Sequence, residues 1–328
     1  MAADGGDDMN IFVYLGGDQE VPGGVTHAII DPSVKTVQRR AFYSRRRLVS
    51  VIFHDGVEII EEGAFGYCSS LSGRIKLLGV REIGDRAFSN CYALSDAEFG
   101  NNLETIGMDA FEWCRSLRSV EMPSVRTIDI WAFSDCEQLL DVEFGVNLER
   151  IGGNTFYNCR KLQRITIPLK SGLFSFDYEE NRYTQFDNCD NLTVVDLVGA
   201  EGIHKTISSL LLENWRDEMN VEIDRINREL PSTDSVEKTN TIRLWIRSVI
   251  DTMDRYKAEH NRLLKDHMTQ LELAVWKAKL DEKEDTSALT VQEKRANKIK
   301  EESTRVEKRI TSGADIIIKN VLPFLKLK

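Results

Sequence analysis

Between residues 65 and 192 apolar residues recur in a single phrase. Phe-x-x-Cys-x-x-Leu occurs as Phe65/Cys68/Leu71, Phe88/Cys91/Leu94, Phe111/Cys114/Leu117, Phe133/Cys136/Leu139, Phe156/Cys159/Leu162 and Phe186/Cys189/Leu192. Successive cysteines are separated by 23, 23, 22, 23 and 30 residues. Val37, Ile60, Ile83, Ile106, Ile128 and Ile151 each stand five residues before a phenylalanine, and Ala precedes the ring at 41, 64, 87, 110 and 132. After the leucine comes a short alternation, as in Leu117-x-x-Val120-x-Met122 and Leu139-x-x-Val142-x-Phe144. Alternation over so few residues predicts a short strand with one buried face. The second unit slips by one, using Ile75 and Leu77 after Ser72-Gly73, which predicts a bulge. The Ala-Phe-x-x-Cys segment is predicted as a compact helical or 3₁₀ turn.

One unit of this length cannot bury its own apolar stripe, so neighbouring units must stack into continuous columns. In such a column Cys68, Cys91, Cys114, Cys136, Cys159 and Cys189 act as small hydrophobes, with Phe65, Phe88, Phe111, Phe133 and Phe156 beside them. One cysteine per unit lacks the close pairs of a zinc site, and disulfides do not suit the inside of a cell. The cysteines are therefore expected to be reduced and buried. An earlier copy, Phe42 with Leu48, carries Arg45 in the cysteine place, which predicts an N-terminal cap.

The frame Leu-x-x-Val-x-Leu/Met-Pro-x-x-x-x-x-Ile-x-x-x-Ala-Phe-x-x-Cys-x-x-Leu, clearest from Leu117 to Leu139 with Pro123, resembles the BspA-type leucine-rich repeat over about residues 25–200. The resemblance implies a curved stack with a parallel sheet on its concave face and a role in adhesion or protein recognition. It carries no catalytic residues across. Gly100 and Gly145 depart from the frame, standing where other units have Pro123 and Pro168.

The rhythm breaks at 169–182, where a longer loop holds Phe174, Phe176 and Tyr178 and is followed by Tyr183. Those rings are either exposed for recognition or folded back as a lid. From about Ile203 the apolar period becomes helical, with helices expected near 203–230, 234–284 and 290–311, the second opened by Asp234 and Glu237 as a capping pair. A stripe from Ile242 through Trp245, Val249, Met253, Tyr256, His260, Leu264, His267, Leu271 and Ala274 to Ala278 averages 3.6 residues per step. That favours packing on other helices or on the end of the stack over a coiled coil, with oligomerisation through the long helix as the alternative. His260 and His267 lie two turns apart, about 10 Å, too far for one ion, and read as members of the stripe. The expected organisation is an N-terminal segment at 1–24, a leucine-rich-repeat solenoid of about seven units at 25–202 (α/β class), and an α-helical segment at 203–328. Stability in a stack adds up from units and their neighbours, so the first 200 residues are expected to fold without the helices.

Charge adds one distinction. Residues 1–200 hold 19 Lys and Arg against 30 Asp and Glu, net −11, and residues 201–328 hold 24 against 23, net +1. An acidic repeat region disfavours nucleic acid. The opening Met-Ala-Ala-Asp-Gly-Gly-Asp-Asp has no signal-peptide character and no window is apolar enough to span a bilayer, so the expected location is cytoplasmic. No phosphate loop, nucleophile motif or metal-ligand cluster stands out, so neither an enzyme nor a cofactor is expected. Strand geometry turns Ile52, Lys76, Glu98, Glu121, Glu143, Thr166 and Asp196 outward in one column, and Glu98, Glu121, Glu143 and Thr166 have Asp96, Ser119, Asp141 and Arg164 beside them. Those eight residues from Asp96 to Thr166 are the candidate binding face for a protein partner of basic character, in an interaction or scaffold module. The alternatives are a regulatory subunit of an enzyme complex and an exported surface adhesin.

Overall fold

The structure is a computed structural model that describes residues 9–198 and 209–289. Most repeats contribute one long and one short strand. The long strands are β1 (Ile11–Tyr14), β2 (His27–Ile30), β4 (Ser50–Ile52), β6 (Gly73–Leu77), β8 (Leu94–Phe99), β10 (Ser119–Met122), β12 (Asp141–Phe144), β14 (Arg164–Pro168) and β15 (Val194–Val198). The short ones are β3 (Thr36–Val37), β5 (Ile59–Ile60), β7 (Glu82–Ile83), β9 (Thr105–Ile106), β11 (Thr127–Ile128) and β13 (Arg150–Ile151). Long strands pair in parallel as β1-β2-β4, β6-β8 and β10-β12-β14-β15. Backbone bonds from Ser72 to Val49 (3.0 Å) and from Arg118 to Ser95 (3.2 Å) carry the ladder across the two gaps. Short strands form a second parallel ladder, β3 to β13, on another side of the coil. The fold is therefore a parallel solenoid, and the slip at Ser72-Gly73 is a register shift between Gly73 and Arg74.

The repeat phrase builds the core. Phe42, Phe65, Phe88, Phe111, Phe133, Phe156 and Phe186 are fully buried, with neighbouring ring centroids 4.8 to 5.7 Å apart and planes within 13°. The Ala-Phe-x-x-Cys segment is a turn, not the expected helical piece. Left-handed residues flank most rings two places before and two after: Arg86 and Asn90 around Phe88, Asp109 and Trp113 around Phe111, Asn154 and Asn158 around Phe156. Such a residue interrupts a right-handed helix, and the freed N–H groups reach the next coil instead. Phe88, for example, donates to the Ala110 carbonyl (2.8 Å) and Asn90 to that of Glu112 (2.8 Å).

Both ends of the stack are covered. At the N-terminal end Tyr14, fully buried, sets its ring 5.3 Å from Phe42. Arg45, in the cysteine place, donates its Nε–H to the Val21 carbonyl at 2.8 Å. At the other end the chain continues into α1 (Ser209–Glu229), a 3₁₀ turn at Leu230–Ser232, and α2 (Lys238–Leu289). The Asp234 carboxylate accepts the Val236 N–H (3.1 Å), and α2 begins at Lys238. The Lys238 ammonium, 1% exposed, donates to the carbonyls of Asp190 and Leu192 at 2.9 and 2.7 Å. Thr239 accepts the Phe186 N–H (3.0 Å), Asn227 accepts that of Val195 (2.9 Å), and Ile226, Leu230, Ile242, Trp245, Ile246 and Val249 are buried.

Residues 214–253 and the repeat region form one compact unit, and residues 254–289 belong to a second. In that second unit the stripe stays half-buried at Tyr256, His260 and Leu271, while His267, Ala274 and Ala278 are exposed. His267 is thus not part of a packed stripe. The helix expected near 290–311 lies outside the described residues.

Candidate functional site

Each cysteine occupies its column for two reasons. The side chain fills a small closed space, and its thiol donates to the carbonyl of the phenylalanine one coil earlier: Cys68 to Phe42, Cys91 to Phe65, Cys114 to Phe88, Cys136 to Phe111, Cys159 to Phe133 and Cys189 to Phe156, at 3.0 to 3.3 Å. All six are free and buried. Burial pushes the Cys68 thiol up to about 12 from the usual 9.0, and the other five rise as well for the same reason. These are structural thiols, too seldom ionised to act as nucleophiles. Among the described residues no group of His, Cys, Asp and Glu side chains converges as a metal site would, and no helix is long and apolar enough to cross a membrane.

The aromatic loop folds back. Leu173 and Phe174 are buried, and Phe174 meets Phe186 edge-on at 5.8 Å. Phe176 packs on Tyr178 and Tyr183, and the Arg243 guanidinium lies 4.5 Å from the Tyr183 ring centre. Only the Tyr178 end of this group stands open, at 88% exposure. The loop is a lid on the last coils rather than an array of free rings.

The outward positions of the long strands form two aligned columns. Ser119 is in register with Asp141, and Asp141 with Arg164; Glu121 is in register with Glu143, and Glu143 with Thr166. Upstream, Arg74 aligns with Asp96 and Lys76 with Glu98. The five acids proposed from the sequence therefore share one face, but they are not equivalent. Arg74 lies 2.6 Å from Asp96 and 3.5 Å from Glu98, and with Lys76 in register beside Glu98 the charge of that end is balanced. Arg164, beside Asp141 in register, is drawn the other way, to Asp196 at 3.2 Å. Glu121, Asp141 and Glu143 have no ion pair among the described residues, and Glu121 and Glu143 are exposed. At the ~4.8 Å spacing of neighbouring strands, the like-charged Glu121–Glu143 pair costs on the order of 0.5–1 kcal/mol.

One other column of the solenoid avoids this stacking. Along the edge leading into the short strands, Lys35, Glu58, Arg81, Glu104, Arg126 and Glu149 alternate in sign from coil to coil. All but Lys35 border a polar groove of about 750 Å³. Lys35 meets Glu58 at 3.0 Å and Arg126 meets Glu149 at 2.7 Å. Sequence reading missed this ladder, although the repeat period brings its members together once the register is set.

It also stopped one step short on the outward columns: it places Ile52 in the Glu121–Glu143 column but misses Val13 and Ile29, which continue it upstream with Ile11 beside Val13. The signal was present in Val25-x-x-Ala28-x-Ile30, an early copy of the strand phrase whose three apolar residues are buried.

Among solved structures the chain is similar to bacterial leucine-rich repeat proteins. One from Eubacterium ventriosum is 24% identical, with a TM-score of 0.41, over 54% of this chain and 43% of that one. One from Bacteroides ovatus is 22% identical, with a TM-score of 0.30, over 53% and 61%. The T. pallidum leucine-rich repeat protein is 22% identical, with a TM-score of 0.36, over 63% and 86%. The chain thus spans less than two thirds of the length of the first two. Among curated proteins none matches it. The profile of the BspA-type leucine-rich repeat region matches in six copies, over residues 24–129, 74–193 and 104–217, which together exceed half the chain. The chain belongs to the BspA-type leucine-rich repeat family, whose repeats make protein-interaction or surface modules.

Proposed function

We propose that this chain is a non-enzymatic interaction module whose long-strand face takes a basic protein partner at Glu121, Asp141 and Glu143. The observation that carries the reading is the uncompensated stacking of Glu121 on Glu143, with Asp141 beside them, next to rungs whose charges alternate or are paired. Lysine or arginine side chains of a partner would relieve the repulsion, and complementary charge would speed and orient encounter. The protein's work is recognition: a rigid ladder presents fixed charges at the strand spacing, and no bond is made or broken.

An oligolysine peptide tests this by fluorescence anisotropy. The wild-type chain should bind it, with affinity falling as salt rises through the range where the Debye length drops below about 10 Å. Glu121→Lys/Glu143→Lys should abolish binding, whereas Glu82→Lys/Glu179→Lys, which changes net charge equally on exposed positions away from this face, should not. Equal loss in both variants would reduce the effect to net charge and overturn the reading.

A further inference from the structure

The long-strand face is graded from one end to the other. At its start Ile11, Val13, Ile29 and Ile52 turn outward. Ile11, Val13 and Ile52 are 55%, 44% and 60% exposed, so the pad is open to solvent. Exposed isoleucine and valine side by side on adjacent strands make a contiguous apolar patch, unlike single apolar residues scattered on a surface. The outer edge of β1 is not open for strand addition to the same degree. Gln19 folds back on it, accepting the Leu15 N–H (2.7 Å) and donating to the Val13 carbonyl (3.3 Å). What the end offers is therefore its apolar face, not its backbone.

Lys76 follows one strand beyond Ile52 and has no ion pair among the described residues, since Asp96 and Glu98 are held by Arg74. The uncompensated acids begin at Glu121, three long strands from Ile52, and continue to Glu143, four away. At about 4.8 Å per strand these offsets are roughly 14 and 19 Å. Extended peptide covers that distance in about 4–6 residues.

We propose that one peptide segment lies along this face in a single direction, with an apolar side chain on the Ile11/Val13/Ile29/Ile52 pad and lysine or arginine on Glu121, Asp141 and Glu143. The inference rests on the acidic-face reading above and adds to it an apolar anchor and a polarity. Charge complementarity fixes the order: basic side chains repelled by Lys76 move toward the acids, and the residue facing Lys76 is neutral or acidic. The apolar anchor supplies affinity that salt does not screen, and the acids supply register.

The probe is a phage-displayed library of random peptides of about 12 residues, long enough when extended to span the face, selected on the full chain. Enriched peptides are then resynthesised for titration. Selected sequences should share an aliphatic or aromatic residue about 4–6 positions from a pair of Lys or Arg. Ile52→Asp should weaken a selected peptide about tenfold or more by denying the anchor an apolar seat, and Glu121→Lys/Glu143→Lys should do so through charge. A peptide of reversed sequence should not bind. Loss with the charge variant but none with Ile52→Asp overturns the anchor and leaves the acidic-face reading standing. Indifference to both variants overturns the two together, and a selection that enriches nothing overturns the anchored segment. All three positions are exposed, so circular dichroism should show wild-type folding in each variant.

Discussion

Raising the pH from about 8 to about 10 should unfold this protein through its cysteine column. Each thiol in the folded chain is held neutral by burial, its pKa pushed upward, to about 12 for Cys68, whereas an unfolded thiol ionises near 9.0. A group whose folded pKa is raised contributes stability that is fully present below the unfolded pKa. That contribution is lost as pH climbs toward the folded value, so the window here runs from about 9 to about 12. At pH 10 the unfolded state gains about 1.4 kcal/mol per thiol, or about 8 kcal/mol for the six. That is comparable with the whole stability of a typical domain. The assay is urea unfolding followed by circular dichroism, in the presence of reductant, at closely spaced pH values. Lysines and tyrosines titrate over the same range, so the decisive comparison is with Cys91→Ala/Cys136→Ala. That variant starts less stable, but it should lose about 3 kcal/mol less than wild type between the two pH values. Equal losses in the two proteins, or thiolate absorbance rising near pH 9 in the still-folded wild type, would refute the neutral buried column.

Three further outcomes are expected. Gly145→Ala should cost about 2–3 kcal/mol in urea unfolding, because a Cβ there overlaps the Pro123 carbonyl; Gly23→Ala, with open space around it, should be near neutral. Lys238→Met should cost about 1–3 kcal/mol by leaving the Asp190 and Leu192 carbonyls without their ammonium donor. Removal of everything after residue 202 should go further, exposing the last coil and causing aggregation visible by light scattering; this revises the expectation that the first 200 residues fold alone, because residues 214–253 form one compact unit with the repeats. Arg126→Glu, which sets like charges beside Glu104 and Glu149, should cost under about 1 kcal/mol, with the loss shrinking as salt is added.

The period, the buried columns and the parallel pairing were legible in the sequence because each is a local pattern repeated at fixed spacing. Once Phe, Cys, Ile and Leu recur in phase, stacking is the way to bury them all, and the outward residues of each strand follow from alternation alone. The turn around Ala-Phe-x-x-Cys was not legible in the same way. Its left-handed positions are filled by Arg86, Asp109, Trp113 and Trp131 as readily as by asparagine, and only hydrogen bonds to the neighbouring coil hold them there. The choice of cysteine reads from sequence as small and apolar; its bond to a phenylalanine carbonyl one coil away appears only when the coils are stacked.

Charge shows the same division. The sequence determined that Asp96, Glu98, Glu121, Asp141 and Glu143 would share a face. Tertiary structure decided that Arg74 silences the first two and that Arg164 turns away from Asp141 toward Asp196. It also decided the fate of the aromatic loop, since whether Phe174 points to water or to Phe186 depends on what lies across the coil. Likewise Lys238 reads in sequence as an ordinary surface charge, yet the carbonyls of the last coil draw it inward as a cap. Periodicity fixes which residues lie on a face because backbone geometry repeats. Long side chains choose their partners by distance in three dimensions, and that distance does not exist until the chain has folded.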